Sequence, residues 1–401
     1  MPERMTIDPM NIPESKILAL ISFFNETRKR LYPHYETYNH QDIGLFNFTD
    51  SMVAWSCNDT SLHTMHFEVF NEAHMLARGG QATVYTSKGT LSIGQDDISF
   101  SDKFPRVIKV GPESHFSLVE RELHQLDVSF NCLPLTIVGE TAYFIMEKVP
   151  GVTLEQLLKK NVLSIEQRFL LAFEIIDATR RIAKNDVYHR DIKPQNIMVH
   201  FPGKLPYVCI IDFGLAQFAK RPSSETRQAE CFEGTVAFAP PERYENVSTD
   251  NSDTYSVAMV LALIFGAVLR TCPSGWGTFL QGLNYAARMD YTNTLSVAGL
   301  PQTALTQLES IFTKMSLKNA MLRMNLAVAR QELVEIGLGL EAGLHNTSIK
   351  TASRATPRSR VHSCWVRHND EKKPVRQNSS LFSLHSEEEF QEPNLMLNRP
   401  R

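Results

Sequence analysis

The sequence has no long apolar run and little net charge. Its apolar stretch Val257–Leu269 falls short of the ~18 residues that a membrane-spanning helix needs. The formal net charge of −3 provides no broad positive field, so a nucleic acid is an unexpected partner. Residues 1–16 carry three acidic side chains and no apolar core segment, which is not the pattern of a Sec signal peptide. We therefore expect a cytoplasmic protein without a transmembrane segment.

Paired cysteines are also missing. The six cysteines are scattered and show none of the short spacings of a metal-binding site: Cys57, Cys132, Cys209, Cys231, Cys272 and Cys364. Scattered cysteines indicate buried thiols in a reducing compartment rather than a disulfide framework. With 401 residues and 43% hydrophobic content, the chain can bury a packed core, either as several average domains or as one large unit with extensions.

Secondary-structure patterns divide the central part of the chain into two halves. Residues 66–149 contain short strand-like segments and one helical stretch, Ser117–Val128, and residues 88–104 are predicted to form a long polar connection. From residue 150 to residue 345 helical periodicity dominates, most clearly in Ile165–Asn185. A strand-rich half followed by a larger helical half predicts an α+β fold of two lobes.

The two ends of the chain differ in composition. Residues 1–65 are predicted to form an N-terminal extension that is partly helical, with a helix within Ser15–Leu31. Residues 346–401 are polar, first basic and then acidic, and cannot bury enough surface to offset the entropy lost on ordering. We therefore predict a disordered C-terminal tail.

The most informative segment is Val187–Asn196, a polar loop between two apolar elements. Pro194 excludes a helix here, and loops of this kind often carry catalytic groups. The segment contains His-Arg-Asp, with Lys193 two residues after Asp191 and Asn196 five residues after it. These residues resemble the catalytic loop of eukaryotic-type Ser/Thr protein kinases.

The resemblance implies a fold and a set of roles. The fold is α+β, two-lobed and protein-kinase-like, with a small β-rich N-lobe over 66–149 and a large α-helical C-lobe over 150–345. Asp191 would accept or orient the proton of the attacking hydroxyl, Lys193 would neutralise charge on the transferring phosphate, and Asn196 would hold a metal ion. A lysine at this position is typical of the Ser/Thr kinases and not of the tyrosine kinases.

A second segment of the same family begins sixteen residues after Asn196. Asp212-Phe213-Gly214 follows an apolar strand and resembles the Asp-Phe-Gly motif. The resemblance implies that Asp212 binds Mg²⁺, or Mn²⁺, between the phosphates of the nucleotide. The alternative is an ordinary turn, and the distance from the catalytic loop favours the metal ligand.

Two more segments resemble the family in the helical half. Gly234–Glu242 is similar to Gly-Thr-x-x-Tyr-x-Ala-Pro-Glu, with Phe and Pro in place of Tyr and Ala. The resemblance implies a buried ion pair between Glu242 and Arg323, and a solvated helix residue is the alternative for Arg323. Asp253 begins a segment similar to Asp-x-Trp-Ser-x-Gly and would brace the catalytic loop.

In the first half, Ala77–Val84 lies where the family has the loop Gly-x-Gly-x-x-Gly-x-Val over the nucleotide. Only Gly79 is kept, Ala77 and Ala82 replace the other two glycines, and Gly80 follows directly. A plain β-turn is the alternative. If a replaced glycine needed a left-handed φ, alanine would cost ~1–2 kcal/mol, or about tenfold in nucleotide affinity.

A short apolar strand ends at Lys109, in the place of the lysine that contacts the α- and β-phosphates. The expected partner of Lys109 is Glu122 on the following helix, and Glu120 is the alternative. Glu122 is preferred because Leu123 and Leu126 then lie on the side of the helix that faces the lobe.

The remaining nucleotide contacts implied by the resemblance surround the adenine. They come from two strands of the first half, from the connection between the lobes and from the strand after the catalytic loop. The set consists of the roof residues Val84 and Val107, the floor residue Met198, the gatekeeper Met146, and the hinge residues Glu147 and Val149, whose backbone should hydrogen-bond the base.

The segment between Gly214 and Gly234 is the expected activation loop. It offers Ser223, Ser224 and Thr226, and the resemblance implies that Arg190 can pair with a phosphate there. Autophosphorylation that orders the loop is one hypothesis, and an unmodified, solvated serine-rich loop is the other.

The acidic segment Ser386–Glu392 is followed by the apolar Leu395-Met396-Leu397. This arrangement resembles the glutamate-rich C-terminal translocation signal of bacterial effectors exported by type IV (Dot/Icm) secretion, several of which are eukaryotic-like kinases. Export would bring the protein into a host cell, with host-cell proteins as substrates. An acidic patch that only keeps the tail soluble is the alternative.

The segments together predict an ATP- and Mg²⁺-dependent kinase that transfers the γ-phosphate of ATP to Ser/Thr hydroxyls of protein substrates. One alternative is a pseudokinase or scaffold that binds nucleotide without efficient transfer, and only the altered glycine loop supports it. A small-molecule phosphotransferase of the aminoglycoside-kinase type is a weaker alternative, because those enzymes lack equivalents of Lys193 and of Gly234–Glu242.

Overall fold

The computed structural model describes residues 4–55, 64–79, 82–126, 128, 130–220, 235, 237–245, 247–267 and 295–351. The side chains of residues 244, 245 and 341–351 are not described. The chain divides into two compact units, Met1–Ala342 and Gly343–Arg401.

The strands are, in chain order, β1 (Met5–Ile7), β2 (Leu31–Tyr32), β3 (Tyr38–His40), β4 (Gly44–Phe48), β5 (Ser51–Trp55), β6 (Met65–Arg78), β7 (Thr83–Ile93), β8 (Ile98–Ser101), β9 (Arg106–Pro112), β10 (Thr136–Val138), β11 (Thr141–Glu147), β12 (Val152–Thr153), β13 (Val187–Tyr188), β14 (Ile197–His200), β15 (Tyr207–Ile210) and β16 (Gln217–Phe218). The helices are α1 (Ile17–Thr27), α2 (Leu118–Glu122), α3 (Leu154–Lys160), α4 (Ile165–Lys184), α5 (Ser252–Ile264), α6 (Gln302–Met315) and α7 (Leu326–Thr351).

The first lobe is built on an antiparallel sheet. Within the described residues the sheet has eight strands in the order β10-β11-β9-β7-β6-β5-β2, with β8 paired to β7. Strand β5 pairs with β6 from Ser51↔Phe70 to Trp55↔His66, so the ladder crosses the predicted boundary at residue 66. Residues 31–55 therefore contribute strands to the lobe that the sequence placed at 66–149.

The N-terminal extension has its own core, and this core is aromatic. Helix α1 and the sheet β1-β4-β3 enclose rings such as Phe23 and Phe46, whose centroids are 5.0 Å apart. The same core takes Phe67 from β6 and Leu91 and Ile93 from β7. The far ends of β6 and β7 therefore belong to the extension, while their near ends form the turn that was predicted to cover the nucleotide.

The prediction of a long polar connection over 88–104 is wrong. Strand β7 continues to Ile93 and forms a hairpin with β8, with Thr90 opposite Ser101. The polar residues Thr90 and Ser92 alternate with the fully buried Leu91 and Ile93, which is the pattern of a strand with one buried face. The serines and glycines of this segment concealed that alternation.

The second lobe is helical, and its centre is formed by α4 and α5. Helix α4 begins with a capping box in which Ser164 and Gln167 satisfy each other's backbone N–H groups. Helix α5 is buried along all of 252–262, so the apolar stretch near Val257 is a core helix. Among the described residues, none of the helices combines the length and the apolarity that crossing a membrane requires.

The predicted two-lobed α+β fold is confirmed, with one adjustment to a helix. The helix predicted over Ser117–Val128 is shorter, since α2 ends at Glu122 and a 3₁₀ turn follows over Leu123–Gln125.

Two cysteines lie in the described part of the chain, and both are free thiols. Burial raises the pKa of Cys132 and of Cys209 to about 12, which makes both thiols unreactive near neutral pH.

Candidate active site

The loop between β13 and β14 is held from below by one carboxylate. The backbone N–H groups of His189 and Arg190 donate to the two oxygens of Asp253, at 2.7 and 2.9 Å. Arg190 has a φ of +70°, a conformation that few non-glycine residues adopt and that neighbouring contacts must support. The predicted bracing of the loop by Asp253 is therefore present.

Asp191 is the centre of a compact polar cluster and is only 8% exposed. Its Oδ2 accepts hydrogen bonds from Lys193 Nζ at 2.6 Å and from Asn196 Nδ2 at 3.0 Å. Its Oδ1 accepts from the Thr235 hydroxyl at 3.2 Å, and Lys193 also donates to that hydroxyl at 3.0 Å. The structure thus brings together three predicted site residues and adds the Thr235 side chain, to which no role had been assigned.

Asp212 follows β15 and belongs, like Asp191, to the helical lobe. It has a φ of +66°, and its carboxylate is about half exposed, which leaves room for a ligand. The ring of the next residue, Phe213, packs on His189 with centroids 4.8 Å apart. Burial raises the pKa of the Asp212 carboxyl, but Lys109 outweighs burial and holds this pKa below its ordinary value. Asp212 is therefore ionised at neutral pH.

Lys109 on β9 joins the two lobes, and its partner is not the predicted one. Its ammonium group donates to Glu120 Oε1 at 2.7 Å and to Asp212 Oδ1 at 2.9 Å. Burial alone lowers the pKa of Lys109, but the two carboxylates more than compensate and raise it, so the lysine stays charged. The preference for Glu122 is wrong for this ion pair, whereas the alternative Glu120 is correct.

The reason lies in the short helix α2. Ser117 is its N-cap, and Glu120 occupies the third helical position, where it is 1% exposed and faces Lys109. Glu122 is the last residue of the helix and is partly exposed, with contacts of its own elsewhere. The two glutamates are too close in sequence for the periodicity of so short a helix to distinguish them.

The segment that was predicted to cover the nucleotide lies between β6 and β7. Gly79 N donates to Ala82 O at 2.9 Å, and Ala77 is exposed near the end of β6. Gly79 does not have a positive φ, and an added Cβ would meet only Ala82 O, at 3.5 Å. Gly80 lies outside the described residues.

The predicted adenine contacts lie on four strands and on the connection between the lobes. Val84 and Val107 are on the neighbouring strands β7 and β9, and Met198 is on β14. Met146 and Glu147 end strand β11, where the Glu147 N–H donates to Asn131 O at 2.7 Å. The partly buried Val149 follows in the connection between the lobes.

The predicted ion pair between Glu242 and Arg323 is present and bidentate. The two guanidinium nitrogens donate to the two carboxylate oxygens at 2.6 and 2.7 Å, and the Arg323 side chain is fully buried. Burial raises the pKa of the Glu242 carboxyl, but the bonds from Arg323 and Ser252 bring this pKa below its ordinary value.

The residues around the cleft fit a magnesium ion. Mg²⁺ prefers oxygen ligands and is usually held by one or two carboxylates together with substrate phosphates. Asp212 supplies an ionised carboxylate, and Asn196 uses its amide nitrogen for Asp191, so its side-chain oxygen is the atom suited to a cation. Among the residues that the structure describes, no cluster of three His, Cys, Asp or Glu could hold a metal without such phosphates.

Several predicted features lie outside the described residues. They are the activation-loop residues Ser223, Ser224 and Thr226, the start of the Gly234 segment, and the tail with Ser386–Glu392 and Leu395–Leu397.

Comparison with known proteins finds a family match over the part of the chain that includes Asp191, Asp212 and Arg323. Residues 132–323 match the family model described as "Protein kinase domain". The probable serine/threonine-protein kinase PknB of Lactococcus lactis subsp. lactis is 30% identical over 193 residues, which cover 46% of this chain and 30% of that protein. Serine/threonine-protein kinase A of Synechocystis sp. is 30% identical over 132 residues, or 30% of this chain and 25% of the relative.

A third relative is serine/threonine-protein kinase PkaA of Streptomyces coelicolor. It is 32% identical over 152 residues, which cover 37% of this chain and 27% of that protein. The chain therefore spans less than a third of the length of each of these relatives.

Proposed function

We propose that the protein transfers the γ-phosphate of ATP to Ser/Thr hydroxyls of protein substrates. Its residues 132–323 match the model of a protein kinase domain, and the relatives it resembles are kinases of the eukaryotic Ser/Thr type. The observation that carries this proposal is the pair of contacts made by Lys109. They join Asp212 of the helical lobe to Glu120 of the strand-rich lobe, across the cleft where a nucleotide would bind.

The reaction forms a bond between the substrate hydroxyl oxygen and the γ-phosphorus, while the bond from that phosphorus to the bridging oxygen breaks and ADP leaves. Asp191 accepts or orients the hydroxyl proton, and its contacts with Lys193 and Asn196 fix the carboxylate in place. Lys193, 2.6 Å from Asp191, supplies positive charge where the phosphate is transferred. Mg²⁺ held by Asp212 and Asn196 would neutralise charge on the phosphate oxygens.

The other side of the cleft binds the nucleotide. Lys109 contacts the α- and β-phosphates, and the turn of Ala77, Gly79, Gly80 and Ala82 covers them. The adenine is enclosed by the remaining predicted residues, which are Val84, Val107, Met146, Glu147, Val149 and Met198. Support for this assignment comes from the strand pairing, in which Val84 lies opposite Lys109 and Met146 lies opposite Val107.

The test is transfer of labelled phosphate from ATP–Mg²⁺ to a generic protein substrate, followed by phosphoamino-acid analysis. We expect phosphoserine and phosphothreonine, and loss of transfer in Asp191→Ala. The matched control is Asp186→Asn, because Asp186 is half-exposed, pairs only with the exposed Lys220 among the described residues and has a positive φ that Asn tolerates. ATP–Mg²⁺ binding without transfer by the wild-type chain would instead favour the pseudokinase.

We also propose that autophosphorylation at Ser223, Ser224 or Thr226 activates the protein by pairing with Arg190. Support comes from Arg190 itself, which the brace of Asp253 holds next to the catalytic residue. Mass spectrometry of the purified protein should find phosphate at these sites. Full activity of a chain without phosphate there would contradict the proposal.

The cellular setting is a further proposal, and it is based on the sequence alone. The acidic segment Ser386–Glu392 supports export of the protein from a bacterium into a host cell, where host proteins would be the substrates. Fusion of the full chain to a translocation reporter should show delivery that is lost when the glutamates of this segment are replaced by glutamines. Equal delivery by both chains, or delivery by neither, would show that the segment is not an export signal.

A further inference from the structure

We propose that Ser117 is a positioning residue for Asp212, a role that rests on the proposed kinase activity and that none of the segments discussed above assigns. Two links connect helix α2 to the segment Asp212-Phe213. One is the charged contact of Lys109 with Glu120 and Asp212. The other is a single hydroxyl, because Ser117 Oγ donates to the backbone carbonyl of Phe213 at 2.7 Å.

The same hydroxyl begins the helix. Ser117 Oγ accepts a hydrogen bond from Glu120 N at 3.0 Å, and the Glu120 carboxylate accepts in return from Ser117 N at 3.4 Å. A serine hydroxyl has one O–H donor and two acceptor lone pairs, so it can cap the helix and hold Phe213 at once. The helix start and the segment that carries the metal ligand therefore share one atom.

The contacts close into a ring. Ser117 is bonded to Glu120, Glu120 to Lys109, Lys109 to Asp212, and Phe213 back to Ser117. A displacement of α2 that broke the Lys109–Glu120 pair would therefore also pull on the hydroxyl contact. The ring couples the position of the helix to the position of the Asp212 carboxylate through two links, of which only one is charged.

The backbone conformation of Asp212 explains why the hydrogen bond from Ser117 Oγ to Phe213 O, here called the tether, is useful. Its φ of +66° is unfavourable for a residue with a side chain, and such conformations persist only where surrounding contacts hold them. The Phe213 carbonyl follows directly in the chain and accepts both Ser117 Oγ and the Ala216 N–H, the latter at 2.9 Å. Fixing this carbonyl restricts the peptide unit beside the strained residue.

The experiment separates the tether from the helix cap. Ser117→Thr keeps both functions, whereas Ser117→Asp and Ser117→Gly preserve a favourable helix start but lack the O–H donor. One of these two variants is charged and the other is neutral, so an effect common to both does not come from added charge. The control is Ser114→Ala, which changes an exposed serine three residues away.

The first readout is amide hydrogen exchange of the full chain without nucleotide, followed in peptides that cover residues 209–219. A neutral hydrogen bond corresponds to a factor of about 2 to 12 in an equilibrium constant, so exchange in these peptides should be faster by about that factor in the Asp and Gly variants. The Thr and Ser114→Ala variants should match the wild type. If these peptides exchanged as slowly in both Ser117→Asp and Ser117→Gly as in the wild type, the proposal would be overturned.

The second readout is steady-state kinetics. Loss of the tether should lower kcat by a similar factor while the KM for ATP changes less, because Asp212 acts on the transferring phosphate and the adenine contacts are intact. An unchanged kcat in both donor-less variants would also overturn the proposal. A wild-type chain without any phosphate transfer would refute the proposed function, and hydrogen exchange would still decide the structural role of Ser117.

Discussion

The aspartate predicted to be catalytic and the turn predicted to cover the nucleotide, here called the lid, are held in different ways. Asp191 is nearly buried and accepts hydrogen bonds from three side chains, those of Lys193, Asn196 and Thr235. In the described part of the lid turn, Gly79 N donates to Ala82 O, and the β6 residues that lead into the turn are exposed. The family match begins at residue 132, so it includes the first region and excludes the second. Transfer chemistry requires particular side chains at particular places, whereas a lid acts mainly through its backbone.

The largest expected effect tests the first half of this comparison. Asp212→Asn should lower kcat by about 10³-fold, because a group that stabilises the transferring phosphate contributes at least that much in related reactions. The unfolding free energy should change little, since Lys109 keeps its contact with Glu120. A radiolabel assay combined with urea unfolding checks both. A fall in kcat of less than tenfold would break the comparison, because the metal-binding side chain would then be as replaceable as the lid.

The second prediction concerns the buried ion pair between Glu242 and Arg323 in the helical lobe. Arg323→Met should reduce the unfolding free energy by about 3–5 kcal/mol, because it leaves the Glu242 carboxylate largely buried without its partner. The control is Lys314→Met, which removes an exposed contact to Glu332 at 3.8 Å and should change stability by less than about 1 kcal/mol. Equal effects of both substitutions in urea unfolding would contradict this prediction.

The third prediction concerns the pH dependence of the stability that the same ion pair contributes. The folded protein holds the pKa of Glu242 below its ordinary value, so this carboxylate stabilises the fold above the ordinary carboxyl range, and that contribution is lost as pH falls through the lowered pKa. Urea unfolding of Glu242→Gln, which lacks this group, should lose less stability between about pH 7 and about pH 4 than the wild type does. Identical losses in the two proteins would show that the carboxylate is not linked to folding.

The smallest effect is expected in the lid. Gly79→Ala should change the KM for ATP by less than about threefold, because a Cβ there meets only Ala82 O at an ordinary 3.5 Å and φ is not positive. The contrasting variant is Gly151→Ala, where φ is +99° and an added Cβ would lie 2.0 Å from Val199 O. A tenfold rise of the KM for ATP in Gly79→Ala would contradict this prediction. The lid would then require its glycine as strictly as the helical lobe is expected to require the carboxylates of Asp191 and Asp212.

What could be predicted from the sequence follows the same division. Asp191, Lys193 and Asn196 were recognisable because their roles depend on residue type at short spacing. Glu120 was not chosen over Glu122, because α2 is too short for its periodicity to identify the buried side. The Thr235 contact had a signal in the Gly-Thr pair of its segment, but only the fold shows that its hydroxyl reaches Asp191.

The strands of the extension could not be predicted for a different reason. Ser51–Trp55 contains apolar and polar residues without clear alternation, and its burial comes from pairing with β6 across a segment of the chain. Burial that depends on a partner strand has no local signature in the sequence. The role of the aromatic residues before residue 50 as a core becomes visible only in the fold, where Phe67 and Leu91 join them.

The strands β6 and β7 join the N-terminal extension to the first lobe, so the extension is not a separate module. Both strands run without interruption from the aromatic core of the extension to the turn at Gly79. A recombinant fragment that began at residue 66 would expose Phe67, Leu91 and Ile93, and it would remove the partner strand β5 from the sheet edge. The segment predicted to cover the nucleotide and the extension before it therefore share one core, which truncation at the predicted boundary, residue 66, would divide.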